Sequence, residues 1–285
     1  MKALITGANG QLGRALAACA PASIELIELT SAQLDIGDRA AVDAAFIDHA
    51  PAIMINAAAY TKVDVAEEMS ELADRVNHLG VAHLAEAAQR SGARLVHIST
   101  DFVFDGMASH PYRPDAQTAP LNVYGATKLA GERAAGQNAL IIRTSWLYSA
   151  YGNNFVATML RLVRERPELR VVDDQVGTPT SARSLADAIW KLALTNNVGV
   201  MHYSDSGVAS WYDFAVAIMD EAIAIGLLDQ PVDIIPIPSS AYPTPAKRPH
   251  YSVLDKSDTI EALGYTPPHW RTSLRDVLEA IKSDG

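Results

Sequence analysis

The sequence predicts an α/β fold: a doubly wound parallel sheet with a smaller, interleaved C-terminal domain. Three observations carry this. A short apolar run, Ala3 to Thr6, meets a turn with Gly7, Gly10 and Gly13, and then a stretch able to run as a helix. Strand and helix patterns alternate as far as Ser145, with no internal repeat and no low-complexity segment. Beyond Ser145 the alternation loosens. The expected division is residues 1–148, with returning segments near 171–198 and 231–240, as one domain, and the remainder of 149–285 as the second.

Composition narrows the function classes. At 285 residues, with 49% hydrophobic and 20% charged residues, the chain can bury a large core. A net charge of -10 argues against nucleic acid or an anionic membrane as the main partner. Cys19 is the only cysteine, which excludes an intramolecular disulfide and a cysteine-based metal site. Its place on the apolar side of the first helix reads as core. No apolar run is long enough to span a bilayer and no signal-peptide pattern opens the chain, so a cytoplasmic protein is expected.

Taken in order, the first strand, glycine turn and helix read as a Rossmann-type βαβ start. Gly7 permits the tight turn, Gly10 a close approach of pyrophosphate, and Gly13 close packing of helix on strand. Gly7, Asn9, Gly10, Gln11 and Leu12 form the candidate phosphate cradle, because free N–H groups at a helix N-terminus attract anions. A glycine turn that binds nothing is the plain alternative. Ile24 to Leu29 is the second strand, and its end approaches the adenosine ribose in such folds. Thr30 and Ser31 stand there, with neither the acidic residue that favours NAD nor an arginine that favours NADP. Asp35, beside Ile36, either reaches the adenine edge or caps the helix from Asp38 to His49.

Ala52 to Asn56 is a buried strand, and the small residues Ala57, Ala58 and Ala59, followed by Tyr60, let backbone approach a ligand. Ala66 to Ser91 carries helical periodicity, with Asn77 either buried and bonded to backbone or exposed. Arg94 to Ile98 is a strand ending in Ser99-Thr100-Asp101, and within it His97 reads as a satisfied core histidine. A helix follows from Tyr124 to about Ala135, then a strand at Leu140 to Arg143. In the second half, helices are expected at Asn154–Arg166, Ser184–Leu194, Trp211–Ile225 and Trp270–Ile281. Residues 173–180 read as a loop, and five prolines between Pro236 and Pro249 as an ordered irregular one.

Tyr124 and Lys128 are four apart, so one helix face carries both, with Cβ atoms roughly 5–6 Å apart. An adjacent ammonium is expected to lower the phenol pKa from about 10 and fit Tyr124 to proton transfer at a carbonyl or alcohol. Thr100 can present its hydroxyl to the same oxygen. The glycine turn, Ser99-Thr100, and Tyr124 with Lys128 have the order and spacing of short-chain dehydrogenase/reductases. The GxxGxxG spacing matches their extended branch.

The segments NAAAYTKVDVAE, VNHLG, STDFVFDG, YGATKLAGE, RTSWLY, NNFVATML, DQVGTPTSA and SWYDFA narrow this further. Together they resemble the dTDP-4-dehydrorhamnose reductase family over most of the chain. The resemblance implies reduction of the 4-keto group of dTDP-6-deoxy-L-lyxo-4-hexulose by NADPH, with NADH as a second cofactor. It implies Tyr124 as proton donor, Lys128 on the nicotinamide ribose, and Thr100 polarising the ketone. Asp101, Phe102, Trp146 and Asn154 then border the sugar nucleotide, and Arg248 offers a cation to its pyrophosphate. Trp211 reads as a core or interface aromatic.

Two departures stand out. Phe102 replaces a frequent tyrosine, which removes a hydroxyl. Ala15 stands where some relatives place a glutamate that binds magnesium at a dimer contact. No metal is therefore expected, and a monomer is favoured over a homodimer formed through another surface. Rival readings are another sugar-nucleotide reductase, epimerase or dehydratase on this fold, and a non-catalytic nucleotide-binding subunit. Phe102 also stands where the dehydratases carry a second carboxylate.

Overall fold

The structure is a computed structural model that describes residues 1–284. The chain begins with β1 (Lys2–Thr6), α1 (Gln11–Ala18), β2 (Glu25–Leu29), α2 (Arg39–His49) and β3 (Ile53–Asn56). Next come α3 (Val63–Ala66), α4 (Ser70–Asp74), a π-helical turn at Arg75–Leu79 and α5 (Gly80–Ser91). The last three fill most of the span expected as one helix, and α3 precedes it. The interruption has a local cause. Asn77 is buried, its side chain accepts from Tyr60 N at 2.8 Å and donates to Tyr60 O at 3.1 Å, and the π turn widens the helix at that residue.

β4 (Arg94–Thr100), α6 (Val123–Ala135) and β5 (Leu140–Thr144) complete the first half. The second half holds β6 (Leu147–Tyr148), α7 (Phe155–Glu165), β7 (Glu168–Val172), β8 (Val176–Gly177), β9 (Thr180–Ser181) and α8 (Ala182–Ala193). It continues with β10 (Gly199–His202), β11 (Ala209–Ser210), α9 (Trp211–Ala224), β12 (Asp233–Ile237), α10 (Ser257–Leu263) and α11 (Trp270–Asp284).

The main sheet has the order β10-β5-β4-β3-β1-β2, and every pairing in it is parallel. Helices cover both faces because alternate strand residues point to opposite sides. In β1, Ala3 and Ile5 join the core with α1 and α8, while Leu4 joins the core with α2 and α5. A third core gathers α7, α9 and α11 over β7 around Tyr148, Phe214 and Leu274.

Two segments of the second half settle differently from expectation. The sixth sheet strand is β10, just past the segment expected to return. β12, within the 231–240 segment expected to rejoin the sheet, pairs instead with β7 in a separate two-stranded sheet. Its Ile234 packs with Leu169 and Val171 on the α7–α9 core, so its apolar face is used there. The expected 173–180 loop contains the short strands β8 and β9.

Candidate active site

The chain leaves β1 for β2 on one side and reaches β3 on the other, so a crevice opens at their carboxyl ends. The cleft there encloses about 720 Å³. Its walls come from the ends of β1, β3, β4 and β5, from α6, and from the start of the second half.

Gly7 has φ +68°, and a Cβ on it would lie 2.8 Å from Ala58 Cα. A Cβ on Gly13 would lie 2.3 Å from the Gly7 carbonyl, so α1 starts tightly against the strand end. Gly10 is the N-cap of α1, with no side chain capping it and no carboxylate in the first turn. The N-terminal N–H groups and the helix dipole are thus left to the cleft. Gly7, Asn9, Gly10, Gln11 and Leu12 line one wall, and Ala57, Ala58, Ala59 and Tyr60 the facing one. This cradle suits a dinucleotide pyrophosphate.

The residues expected at an adenosine end divide. Ser31, Asp35 and Ile36 line the cleft. Thr30 is not on its wall: its hydroxyl donates to Gln33 Oε1 at 2.9 Å, closing a local turn. Asp35 does not cap α2. It accepts from Gly37 N at 2.9 Å and pairs with Arg75 at 3.0 Å, while Asp38 accepts from Ala40 N and Ala41 N.

The candidate reactive groups line the same cleft. Thr100 ends β4, and its hydroxyl donates to Asp101 Oδ1 at 3.0 Å and accepts from Phe102 N at 3.2 Å. Asp101 is buried with Oδ2 unpaired, and burial pushes its carboxyl up to about 6. The Phe102 ring meets the edge of Tyr124, centroids 5.6 Å apart. Asn122 caps α6 by accepting from Gly125 N at 2.8 Å, which sets Tyr124 and Lys128 in its first turns.

The electrostatics differ from those read from the spacing. Burial pushes the Tyr124 phenol up to about 12, partly offset by the Thr100 hydroxyl. Lys128 does not lower it: its amine donates to the Ile98 carbonyl at 2.6 Å, and burial pulls the amine down to about 8. Beneath, Glu132 accepts from Arg143 Nε at 2.8 Å and Nη2 at 2.7 Å, and also from the Ser99 hydroxyl. This buried ion pair ties α6, β4 and β5 together at the floor.

The second half closes the far side. Trp146 adopts φ +47° and stacks on Trp211 with centroids 3.6 Å apart. Both indoles line the cleft, so Trp211 belongs to its wall as well as to the core. A Trp at the first position of a helix, after a capping serine, carried no signal for this. Asn154 lines the cleft, yet its amide is engaged: it caps α7 through Ala157 N and donates to Gln11 Oε1 at 3.0 Å. Arg248 also lines the cleft, paired in a fork with Asp64 at 3.0 and 2.7 Å. That pair holds Asp64 below the usual carboxylate range. Thr144, with its buried hydroxyl unpaired, and Ser145 are further wall residues that the sequence pattern did not single out.

A glycine turn at the switch point of a parallel sheet, with threonine, tyrosine and lysine on the same cleft floor, defines a nucleotide-dependent reductase of the extended short-chain dehydrogenase type. Comparison with known proteins makes this specific. The family model described as the RmlD substrate binding domain matches residues 1–283. The spore coat polysaccharide biosynthesis protein SpsK of Bacillus subtilis is 42% identical over 99% of this chain and 98% of its own. The dTDP-4-dehydrorhamnose reductase of Burkholderia thailandensis is 42% identical over 98% and 99%. A crystal structure of the Bacillus anthracis dTDP-4-dehydrorhamnose reductase in complex with NADP is 38% identical. It superimposes with a TM-score of 0.92 over 98% of this chain and 99% of that one. The chain belongs to the dTDP-4-dehydrorhamnose reductase family.

Proposed function

We propose that this chain reduces the 4-keto group of dTDP-6-deoxy-L-lyxo-4-hexulose to dTDP-L-rhamnose, with NADPH as the preferred cofactor. The observation that carries the reading is the convergence of Thr100, Tyr124 and Lys128 on the floor of the cleft that the glycine turn opens. The six-stranded sheet and its helices hold the cofactor, and the α7–α9–α11 part of the second half contributes the sugar-nucleotide wall. The α1 N-terminus and Ala57 to Tyr60 hold the pyrophosphate and ribose region, and Ser31 and Asp35 the adenosine end. Bound there, the nicotinamide cofactor supplies a hydride.

The chain's own residues do the rest. Thr100 exchanges its hydrogen bond to Asp101 for the ketone oxygen, and Tyr124 directs its hydroxyl there too, where negative charge develops. Tyr124, protonated through the working range because burial raises its phenol, delivers the proton. Lys128 holds the ribose from below. Trp146, Trp211 and Phe102 exclude water and shape the sugar site. Arg248 exchanges part of its pairing with Asp64 for the substrate pyrophosphate.

A panel of 4-keto sugar nucleotides, assayed by loss of reduced-nicotinamide absorbance, tests the function. Turnover of the dTDP-4-keto-6-deoxy sugar to the alcohol is expected. Binding of cofactor with no turnover of any member would replace the reading by a nucleotide-binding subunit.

A further inference from the structure

A buried polar chain crosses the sheet behind the reactive floor. It runs from Thr6 at the end of β1, through Asn56 at the end of β3 and His97 in β4, to Lys128 on α6. Thr6 Oγ1 donates to Asn56 Oδ1 at 2.7 Å, and the Ala58 N–H donates to the same oxygen at 3.1 Å. A backbone N–H only donates, so that atom is the amide oxygen. The other end of the amide is then its nitrogen, and it faces His97 Nδ1 at 3.1 Å. An amide nitrogen donates, so Nδ1 accepts, and the neutral ring carries its proton on Nε2. Nε2 in turn faces Lys128 Nζ at 3.5 Å. Asn56 and His97 are fully buried, with 0% exposure, and Lys128 is 2% exposed, so no solvent softens the meeting.

We propose that His97 is a positioning residue for Lys128: Asn56 holds the ring as the Nε2–H tautomer, and that N–H steers the lysine amine onto the Ile98 carbonyl and favours its neutral form. An ammonium at this distance would set donor against donor, whereas a neutral amine accepts the imidazole proton. The surrounding groups fit. Burial lowers Lys128 to about 8 while Glu132, one turn along α6, draws it back. Burial holds His97 neutral, well below its ordinary value. The other titratable groups of this cluster are Tyr124 on α6, Asp101 at the end of β4, and Arg143 on β5, which pairs with Glu132. The inference rests on Lys128 belonging to the reaction centre.

Two measurements on the full chain test it. The first is ¹⁵N NMR of histidine-labelled protein near neutral pH, with His97 assigned by through-bond correlation. An unprotonated Nδ1 and a protonated Nε2 are expected, and the opposite tautomer overturns the proposal. The second is kcat/KM against pH for wild type, Asn56→Asp, His97→Leu and the double variant. The aspartate still accepts from Thr6 and Ala58 but turns an acceptor on Nδ1, forcing the proton there and leaving Nε2 a lone pair for the ammonium. The limb near pH 8, where the Lys128 ammonium that holds the ribose loses its proton, should then rise by about one pH unit, and only when His97 is present. An unmoved limb, or an equal rise with leucine at 97, overturns the proposal. If the variants fail to fold, the wild-type tautomer decides. Absence of any wild-type turnover would instead count against the proposed reaction and leave the NMR outcome to judge the tautomer.

Discussion

At the scale of single residues, the phenol and the carboxyl on the cleft floor carry separable predictions. Tyr124→Phe removes the proposed proton donor while keeping the ring against Phe102. Turnover should fall by about 10²–10⁴-fold, with cofactor affinity by titration calorimetry unchanged. Near wild-type turnover would reassign the proton. Asp101 titrates near 6 in the fold against 3.8 ordinarily, so the fold holds its proton more tightly. The stability this gives is fully present below about 3.8 and is lost as pH rises through about 6. Melting temperatures of wild type and Asp101→Asn, followed from acidic to neutral pH, should show the wild type losing ground across that window. A constant difference would mean that the carboxyl is not raised. Thr30 spends its hydroxyl on Gln33, which leaves Ser31 alone to meet a 2′-phosphate. NADPH should therefore be preferred over NADH by less than about tenfold, or ~1.4 kcal/mol. Parallel kinetics with both cofactors measure this, and a thousandfold preference either way would show another ribose contact.

At the scale of elements, α6 is the part whose placement matters most, since it carries Tyr124 and Lys128. Asn122 does two jobs at its start. Its Oδ1 caps the helix at Gly125 N, and its Nδ2 donates to the Lys247 carbonyl at 2.7 Å, in the loop that presents Arg248. Asn122→Ala loses both and should cost roughly 1–2 kcal/mol of stability. Urea unfolding should show a lower midpoint with an unchanged slope. The KM for the sugar nucleotide should rise more than that for the cofactor, because the Lys247 contact lies on the substrate side. Equal changes in both would confine Asn122 to helix capping.

At the scale of the whole molecule, assembly and metal dependence are the open expectation. Magnesium takes oxygen ligands in near-octahedral geometry. Ala15 puts a methyl group on the half-buried side of α1, and Arg14 beside it is exposed and positively charged. Activity should survive EDTA, and sedimentation velocity before and after treatment should give the same monomeric species. Activity lost on chelation and restored by magnesium would reveal a site built from other carboxylates.

Much of this was legible along the chain, because local signals are strong where the chemistry is local. The glycine turn, the strand–helix alternation and the four-residue step from Tyr124 to Lys128 depend on backbone sterics and helix pitch alone. They account for the parallel sheet, and for the glycine turn, Thr100, Tyr124 and Lys128 meeting in one cleft. Tertiary structure decided the rest, through contacts between residues far apart in sequence. A π turn widens the helix at Asn77, where its amide meets the Tyr60 backbone. β12 leaves the main sheet because β7 and the α7–α9 core satisfy its edge and its apolar face. Trp211 becomes a cleft wall only when Trp146 stacks on it. Lys128 donates to the Ile98 carbonyl and burial lowers its amine, and neither can be read from a spacing of four.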